Sequence, residues 1–389
     1  MKRIIYLPLQ PLNERYTFQW YSWFPREFEK YFDEVIVIDG KPLTKTIEKG
    51  AFLDVNSAFY WEMTQLRKVV KMMHNGQVKD NDYVFCADIE FPGLVHSINL
   101  LSLFNKVKVN LYGFVHAMST TTEDFVSPFH EQMKYLEVGW LNSFNAVFVG
   151  SNYHRNIIIS KLIRTTAAQS DVGLLTNKLI VSGNPWLSEQ IKTEFLEKYG
   201  ELPRKENIVI FPNRFDYDKR PNLFMDLAEI ICDEVDDVKF LLTTSRPYIR
   251  SSHPWLVKRY KALKKLLGDK IDYKSGLGKM EYYYELAKSK IMISISIEEN
   301  FGYCPIESLT FGTYPLVPNR YSYKETVSNE FRYEDMDDLI KKTLYYIKNF
   351  KEGEFDLSKY EKVIGRMCDV MLNGRNKMEN GTKNNGRTI

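Results

Sequence analysis

Short apolar segments rich in β-branched residues alternate with amphipathic segments along this chain, on both sides of a break at Gly183-Asn184-Pro185. Before the break we expect strands at 3–7, 34–38, 83–87, 107–115, 146–150 and 179–182. Helices are expected between them at 18–31, 57–74, 94–104, 128–143 and 153–164. Because strands that alternate with helices form parallel sheets covered on both faces, residues 1–185 predict a doubly wound α/β domain.

The alternation restarts after a charged stretch at 187–207, which predicts a linker helix and a connection. Strands are expected at 208–211, 239–243, 271–274, 291–297 and 314–317. Helices are expected at 222–235, 255–267, 280–288, 306–311 and 336–349. We therefore predict a second Rossmann-like domain at 206–358, a C-terminal helix at 359–372 and a disordered tail at 373–389. Two such domains facing each other leave a cleft, and ligands of these sheets bind beyond the carboxyl ends of the strands.

Composition indicates the cellular compartment of the protein more clearly than its binding partners. The chain has 389 residues, of which 44% are hydrophobic and 26% charged. Its net charge of +3 does not indicate any particular class of binding partner. Its four cysteines lie far apart in sequence, which argues against a zinc ribbon or disulfide frame and indicates a reducing compartment. The first residues are broken too early by Pro8 for a signal peptide, and no apolar run is long enough to span a bilayer. We expect a cytoplasmic protein without integral membrane association.

One stretch, residues 293–307, combines the end of a strand, a tight turn and the start of a helix. Gly302 precedes the helix, and Pro305 suits its first turn, where a missing N–H is no loss. A helix start presents unpaired N–H groups and the positive end of its dipole, which favours an anion. Glu299 and Glu307 flank this position. The pattern predicts a site for a phosphorylated ligand that also carries hydroxyl groups, such as a nucleotide-sugar.

Two basic residues, Arg214 and Lys219, follow the first strand of the second domain. Carboxyl ends of parallel strands meet at one edge of a sheet, so we expect both residues near the Glu299 turn. Fixed cations at that edge stabilise the charge on a departing diphosphate. Solvation of a surface turn is the alternative interpretation.

The segment Glu299-Asn-Phe-Gly-Tyr-Cys-Pro-Ile-Glu307 resembles the E-x7-E element of retaining glycosyltransferases with the GT-B fold, of the family 4 type. Arg214 and Lys219 fall where that family has its diphosphate-binding Arg and Lys, and the order of elements agrees over nearly the whole chain. Residues 211–221 and 316–325 are similar to tRNA-queuosine mannosyltransferases. Residues 14–20, 113–117 and 122–125 resemble phage-encoded glycosyltransferases of hypermodified DNA, which act in the host cytoplasm.

This resemblance implies specific roles. Glu299 would bind the hydroxyls of the transferred sugar and Glu307 the ribose of a UDP- or GDP-linked donor. The remaining donor contacts implied are Asn300, Phe301, Gly302 and Tyr303 near the diphosphate, and Tyr273 and Gly276 near the base. The family's glycine-rich loop after the first strand is replaced here by residues 7–16 without glycine, so Arg15 is expected to take its place. No separate cofactor is expected.

Three residues of the first domain are candidates for the sugar and the acceptor. His116 ends the predicted strand 107–115, where the family places a His near the sugar; a purely structural role is the alternative. Asp88 ends strand 83–87 and is a candidate for orienting an acceptor hydroxyl, or else caps the next helix. Asp124 is a third candidate. A retaining front-face displacement needs no strong general base to deprotonate the acceptor hydroxyl, so we assign no residue to that role.

A metal site has little support in the sequence. Asp216-Tyr217-Asp218 has the spacing of the Mn-binding motif of the other glycosyltransferase fold, but it precedes a Lys-Arg-Pro helix start, where Asp is a favoured cap. We predict the capping role and no bound metal.

A basic stretch at 246–270 holds eight Lys or Arg against one acid, Asp269. It predicts either a surface for phosphates of nucleic acid or lipid, or a solvated helix face. The run Arg15, Tyr16, Trp20, Trp23 and Arg26 mixes basic and aromatic groups, as base-stacking surfaces do, although burial of Trp20 and Trp23 is favoured.

Together these patterns predict a hexosyl- or pentosyltransferase whose acceptor is a hydroxymethylated base in DNA. Transfer to a saccharide, lipid or small molecule is the first alternative. A sugar-nucleotide epimerase or a non-catalytic nucleotide-sugar binder is an alternative of another class. The oligomeric state is not predicted.

Overall fold

The structure is a computed structural model that describes residues 1–43, 55–122, 124 and 126–374. The chain divides into two compact units, one built from Met1–Pro185 together with the chain from Tyr360 onward, the other from Trp186–Lys359. The predicted tail lies almost wholly outside the described residues, since only 373 and 374 belong to them. Within the described residues, no helix is long and apolar enough to cross a membrane.

Unit 1 contains a six-stranded parallel sheet with strand order β2-β1-β3-β4-β5-β6. Its strands are β1 (Arg3–Leu7), β2 (Glu34–Val37), β3 (Tyr83–Cys86), β4 (Asn110–Val115), β5 (Ala146–Val149) and β6 (Leu179–Val181). Its helices are α1 (Tyr16–Phe28), α2 (Val55–His74), α3 (Leu94–Asn105), α4 (His130–Ser143), α5 (Asn152–Ile157), α6 (Arg164–Thr166) and α7 (Val172–Lys178). Most apolar side chains of the strands are buried, as expected for a parallel sheet covered on both faces, and those of the edge strand β2 are partly exposed.

Unit 2 repeats this plan with strand order β12-β11-β10-β7-β8-β9, all parallel. Its strands are β7 (Glu206–Phe211), β8 (Lys239–Thr243), β9 (Ile271–Lys274), β10 (Ser289–Ile293), β11 (Tyr314–Pro318) and β12 (Arg332–Tyr333). Its helices are α8 (Ser188–Tyr199), α9 (Pro221–Glu234), α10 (Pro254–Leu267), α11 (Lys279–Lys288), α12 (Tyr303–Thr310), α13 (Tyr323–Thr326) and α14 (Met336–Asn349). β10 and β7 are neighbours, so the loops after them leave the sheet at the same edge.

The end of the chain returns to unit 1 through α15 (Ser358–Glu361) and α16 (Val363–Asn373). Arg366 donates to the carbonyl oxygen of Ser182 over 2.9 Å, and the Tyr112 hydroxyl donates to the carbonyl oxygen of Met371 over 3.2 Å. The helix expected at 359–372 is therefore part of the first unit rather than an appendage of the second.

Aromatic side chains fill one layer of unit 1. Tyr6, Phe24 and Phe85 stack with ring centroids 5.2–6.0 Å apart, and Trp20 and Trp23 are each 1% exposed. The burial favoured for these two tryptophans is therefore confirmed, and their rings are not part of a base-stacking surface. They pack in the core because their positions face the sheet.

The strand expected at 291–297 is shorter than predicted. β10 ends at Ile293, although Ile295 is only 3% exposed. Residues 294–302 form the loop that leads to α12, and Ser294 and Ser296 are buried within it. The predicted strand was too long because the loop after β10 is also apolar and buried.

Candidate functional site

The turn between β10 and α12 depends on Gly302, which caps the helix with φ 82°. A Cβ atom at this position would lie 2.9 Å from Cε1 of Tyr323 and 3.3 Å from Cγ of Glu299. The Tyr323 ring is buried and hydrogen-bonded to Ser294 over 2.7 Å, so it has little room to yield. Only glycine suits this backbone conformation and this space. The glycine expected before the helix is confirmed, and α12 begins at Tyr303, ahead of Pro305.

The structure brings Lys219 to Glu299. The Lys219 ammonium lies 3.3 Å from Oε2 of Glu299 and 3.8 Å from Oδ2 of Asp218. Arg214 donates to the same oxygen of Asp218 over 2.8 Å, so the two cations and two acids form one network. Burial lowers the pKa of Lys219, but Glu299 and Asp218 together raise it above its ordinary value. Lys219 is therefore a cation at neutral pH.

Glu307 is 3% exposed and projects from α12. Its oxygens accept hydrogen bonds from the Lys279 ammonium and, over 2.8 Å, from the Tyr282 hydroxyl. Burial and the Glu307 charge raise the pKa of Tyr282 well above its ordinary value, so the phenol stays protonated as a donor. A carboxylate has about four acceptor positions, which leaves capacity for ligand hydroxyls.

Lys279 and Tyr282 were not among the residues predicted from the sequence. They lie on α11, whose K-x-x-Y spacing puts both side chains on one helix face. That spacing is visible in the sequence, but only the tertiary structure shows that this face meets Glu307.

Phe301 and Tyr303 flank Gly302 and anchor the turn. Their rings lie 5.2 Å apart, and Tyr303 also packs on Trp186 at 5.9 Å. Phe301 is 5% exposed. Asn300 is partly buried in the same turn. The first backbone N–H groups of a helix have no acceptor within the helix, which makes a helix start favourable for an anion.

The capping role predicted for Asp216 and Asp218 is wrong. Neither side chain caps a helix; the residue before α9 is Arg220, in the left-handed conformation with φ 52°. Asp216 instead accepts from Arg246 over 3.1 Å and from the backbone N–H of Ser252 over 3.2 Å. Arginine pairing outcompetes capping here because charge-assisted bonds are the stronger ones. Within the described part of the chain, no three His, Cys, Asp or Glu side chains are placed to hold a metal ion.

Tyr273 and Gly276 lie at the end of β9, the edge strand of unit 2. The Tyr273 ring contacts Phe215 edge-on at 6.0 Å and Tyr260 in a tilted arrangement at 5.7 Å. Gly276 has φ 71° and donates its N–H to the carbonyl oxygen of Arg246 over 2.6 Å. Arg246 in turn pairs with Asp216, so this strand end is tied to the loop that carries Arg214.

His116 ends β4 in unit 1 and has partners at both ring nitrogens. Nε2 lies 2.8 Å from the carbonyl oxygen of Ala87, so it must donate, and Nδ1 then accepts from the Tyr16 hydroxyl at 3.0 Å. Burial lowers the pKa of His116 to about 4, while the bond to Ala87 opposes this shift. The ring is neutral at physiological pH.

Asp88 and Asp124, the predicted acceptor residues, follow β3 and β4, which are neighbouring strands. Oδ1 of Asp88 accepts from the N–H of Glu90 over 3.1 Å, and Oδ1 of Asp124 accepts from the N–H of Val126 over 3.1 Å. Their charges interact, and burial with this repulsion raises the pKa of Asp88 to about 7. Arg15, in the same unit, immediately precedes α1 and is partly buried.

Two doubly wound parallel sheets with flanking helices define the two-domain α/β GT-B fold. Residues 192–352, which include β7 to β12, match the sequence family described as "Glycosyl transferases group 1". Over 197 residues the chain is 28% identical to the tRNA-queuosine alpha-mannosyltransferase of Drosophila melanogaster. That alignment covers 48% of this chain and 50% of the fly protein, so the chain matches about half of its relative's length.

Solved structures support the same fold over the whole chain. Sucrose-phosphate synthase from Thermosynechococcus elongatus is 13% identical with a TM-score of 0.61, and the match covers 99% of both chains. A glycosyltransferase from Rickettsia africae is 16% identical with a TM-score of 0.56, and the match covers 100% of both chains. Identities this low establish the fold and not the substrates.

Proposed function

We propose that the protein is a retaining glycosyltransferase that moves a sugar from a UDP- or GDP-linked donor to a hydroxyl group. The observation that carries this proposal is the network of Lys219, Glu299, Asp218 and Arg214 beside the glycine-capped start of α12. The match of residues 192–352 to group 1 glycosyl transferases supports it.

In this proposal the donor diphosphate lies against Arg214, Lys219 and the first N–H groups of α12. These groups stabilise the negative charge that develops on the leaving phosphate, which is the largest demand of the reaction. Glu299 binds hydroxyls of the transferred sugar and, because Lys219 contacts it, couples sugar position to the diphosphate. The leaving phosphate oxygen accepts the acceptor's proton.

Glu307 binds the ribose hydroxyls, with Lys279 and Tyr282 holding its carboxylate in place. Tyr273 and Gly276 form the end of the site nearest the base. For His116 the proposed role is to bind a sugar hydroxyl, and its neutral ring keeps its orientation through Tyr16 and Ala87.

A thermal-shift screen of UDP- and GDP-sugars identifies the donor, and Glu299→Gln tests the site. We expect transfer to fall by a factor on the order of 100 or more. Glu352→Gln, a change of an exposed acid in the same unit, serves as control and should leave turnover intact. Wild-type turnover in Glu299→Gln would remove Glu299 from the reaction. Donor turnover to an epimerised nucleotide-sugar without transfer would replace the proposal with an epimerase.

For the acceptor we propose a modified base in nucleic acid, and favour RNA over hydroxymethylated DNA because the curated relative is a tRNA-queuosine mannosyltransferase. The basic stretch supports this choice. On α10 the side chains of Trp255, Lys258, Lys261 and Lys265 are exposed, and among the described residues these three lysines form no ion pair. An aromatic group beside several basic groups suits bases and phosphates.

Filter binding to tRNA and to hydroxymethylated duplex DNA at rising salt tests this acceptor. Each phosphate contact contributes a slope of about −0.7 to −0.9 in log affinity against log salt. Replacing Lys258, Lys261 and Lys265 by Gln should flatten that slope. Transfer to a free saccharide, with both nucleic acids inert, would contradict the proposal.

A further inference from the structure

The outer side of α3 is apolar and exposed to solvent. Leu100, Leu103 and Phe104 are 42%, 74% and 75% exposed. Their spacing of three and four residues puts them on one side of the helix, whereas Leu94 and Ile98 on the other side are buried in the core. A helix that is apolar all round is normally buried all round. We call Leu100, Leu103 and Phe104 the α3 face, and its exposure indicates that something else covers it.

Basic side chains gather at the C-terminal end of this helix. Lys106 and Lys108 follow α3 directly and are exposed. Lys71 lies in the last turn of α2, which packs against α3. Asn105 donates to the carbonyl oxygen of Met73 over 3.4 Å, so the two helix ends lie together. Among the described residues these three lysines form no ion pair, so their charges are available to a partner.

Along the described lengths of α2 and α3, every exposed charged side chain is basic. The exposed charged residues of α2 are Arg67, Lys68 and Lys71, whereas its one acid, Glu62, is buried. Helix α3 contains no acid. Asp80, in the loop before β3, is an exposed acid that accepts from the backbone N–H of Lys108 over 2.8 Å. Basic groups outnumber this acid, so the charge beside the α3 face is positive.

This combination of groups distinguishes between the occupants that an apolar face can have. A second copy docked by a two-fold interface would bring the same lysines toward each other, and like charges oppose association. Nucleic acid attracts lysines, but its bases stack on aromatic rings and gain little from leucines. An anionic bilayer suits both groups, because apolar side chains enter the boundary of the acyl chains and lysines meet the negative headgroups.

From these observations we infer that the α3 face docks the protein peripherally on a bilayer of anionic lipids. Leu100, Leu103 and Phe104 enter the interface, and Lys106 and Lys108 lie at the headgroups. Because a single short helix buries little apolar area, this docking is weak and reversible. The inference is independent of the proposed reaction, since it concerns a surface of unit 1 that carries none of the predicted site residues.

Flotation of the full chain with lipid vesicles tests the inference. One set of vesicles is phosphatidylcholine alone, and the other contains about one third phosphatidylglycerol, which is anionic. We expect binding to the anionic vesicles and at least about tenfold weaker binding to the neutral ones, because neutral lipid offers the lysines no net charge. Added salt should weaken the binding to anionic vesicles by screening.

Replacing the two most exposed apolar side chains tests the face itself. Leu103→Glu combined with Phe104→Glu should weaken binding to anionic vesicles by about tenfold or more, because apolar insertion is lost and two negative charges face the lipid. The matched control combines Leu202→Glu with Tyr345→Glu, which removes one exposed leucine and one exposed aromatic side chain from unit 2. This control adds the same charge and should bind as wild type.

Lysine variants separate this surface from the basic stretch of α10. Lys106→Gln combined with Lys108→Gln should remove most of the preference for anionic lipid. Replacing Lys258, Lys261 and Lys265 of α10 by Gln should leave vesicle binding in place. Loss of binding in the α10 variant, with binding retained in the Lys106 and Lys108 variant, would contradict the inference.

Thermal unfolding shows whether each variant is folded, and Leu103→Ala with Phe104→Ala takes the place of the acidic pair if that pair is not. Wild type that binds neither kind of vesicle, or both equally, would overturn the inference, as would equal losses in the Leu103 and Phe104 pair and in its control. Sedimentation at rising protein concentration tests for a second copy. A dimer that Leu103→Glu with Phe104→Glu abolishes would assign the α3 face to self-association instead.

Discussion

At the scale of single residues, Lys219 is a cation of unit 2 with little exposure to solvent. It is nearly buried, yet two carboxylates hold its pKa above the ordinary value. We predict that Lys219→Met lowers the turnover number by about 10²–10³-fold, because one fixed charge at the leaving group is lost. Lys348→Met, a change of an exposed lysine of α14, should have no effect. Steady-state kinetics with the donor found in the screen measure both.

His154 offers a prediction about acid stability. It lies in α5 with 1% exposure, and its Nε2 has no partner among the described residues. Burial, and to a lesser extent His116, lowers its pKa to about 3. Between this value and the ordinary 6.5 the unfolded chain binds more protons, so this group lowers the free energy of unfolding as pH falls from 6.5 toward 3.

Replacing His154 by Phe removes this proton-linked loss. Relative to wild type, His154→Phe should gain about 1.4 kcal/mol for each pH unit below about 6. Urea unfolding at pH 7.5, 6, 5 and 4.5 measures the difference. A difference that stays constant with pH would contradict the neutral, buried state of His154. His253→Phe, at an exposed position, is the control and should show no such trend.

At the scale of elements, the turn before α12 depends on a conformation that only glycine adopts easily. Gly302→Ala forces a Cβ against Tyr323 and Glu299 at positive φ. We predict a loss of about 1–3 kcal/mol in unfolding free energy and a weaker donor affinity, because Glu299 and the helix start shift together. Gly139→Ala is the opposite case, since Gly139 lies within α4 with open space around it. That control should gain about 0.5–1 kcal/mol.

Elements with a clear period were predictable, and so was one distant contact that follows from strand order, but most distant side-chain partners were not. Alternation placed β7, α12 and the start of β10 close to their observed positions, so the approach of Lys219 to Glu299 followed from sheet topology. The end of β10 was missed because Ile295 and Ile297 continue the apolar pattern into a loop. The role of Asp216 was missed because local spacing favours a cap, whereas Arg246, thirty positions away, decides it.

At the scale of the whole molecule, the two units share an architecture but differ in charge at the carboxyl edges of their sheets. Unit 2 places cations beside Asp218, Glu299 and Glu307. Unit 1 places the neutral ring of His116 and the carboxyl group of Asp88, whose pKa is raised to about 7, at the corresponding edge. This difference agrees with the proposed binding of an anionic donor at unit 2.

Because the chain from Tyr360 onward belongs to unit 1, the stability of that unit depends on residues that lie far along the sequence from its other elements. On α16 six side chains are buried, namely Val363, Ile364, Met367, Cys368, Val370 and Met371. Burial of each contributes roughly 1.5–3 kcal/mol, so their sum is on the order of the whole stability of a domain. We predict that deleting residues 360–389 abolishes the folded state of unit 1 and leaves unit 2 with its own thermal transition. Deleting only 375–389 retains every described contact of α16 and should leave both transitions in place. Calorimetry and limited proteolysis distinguish the two deletions, and a folded unit 1 in the longer deletion would show that α16 is dispensable.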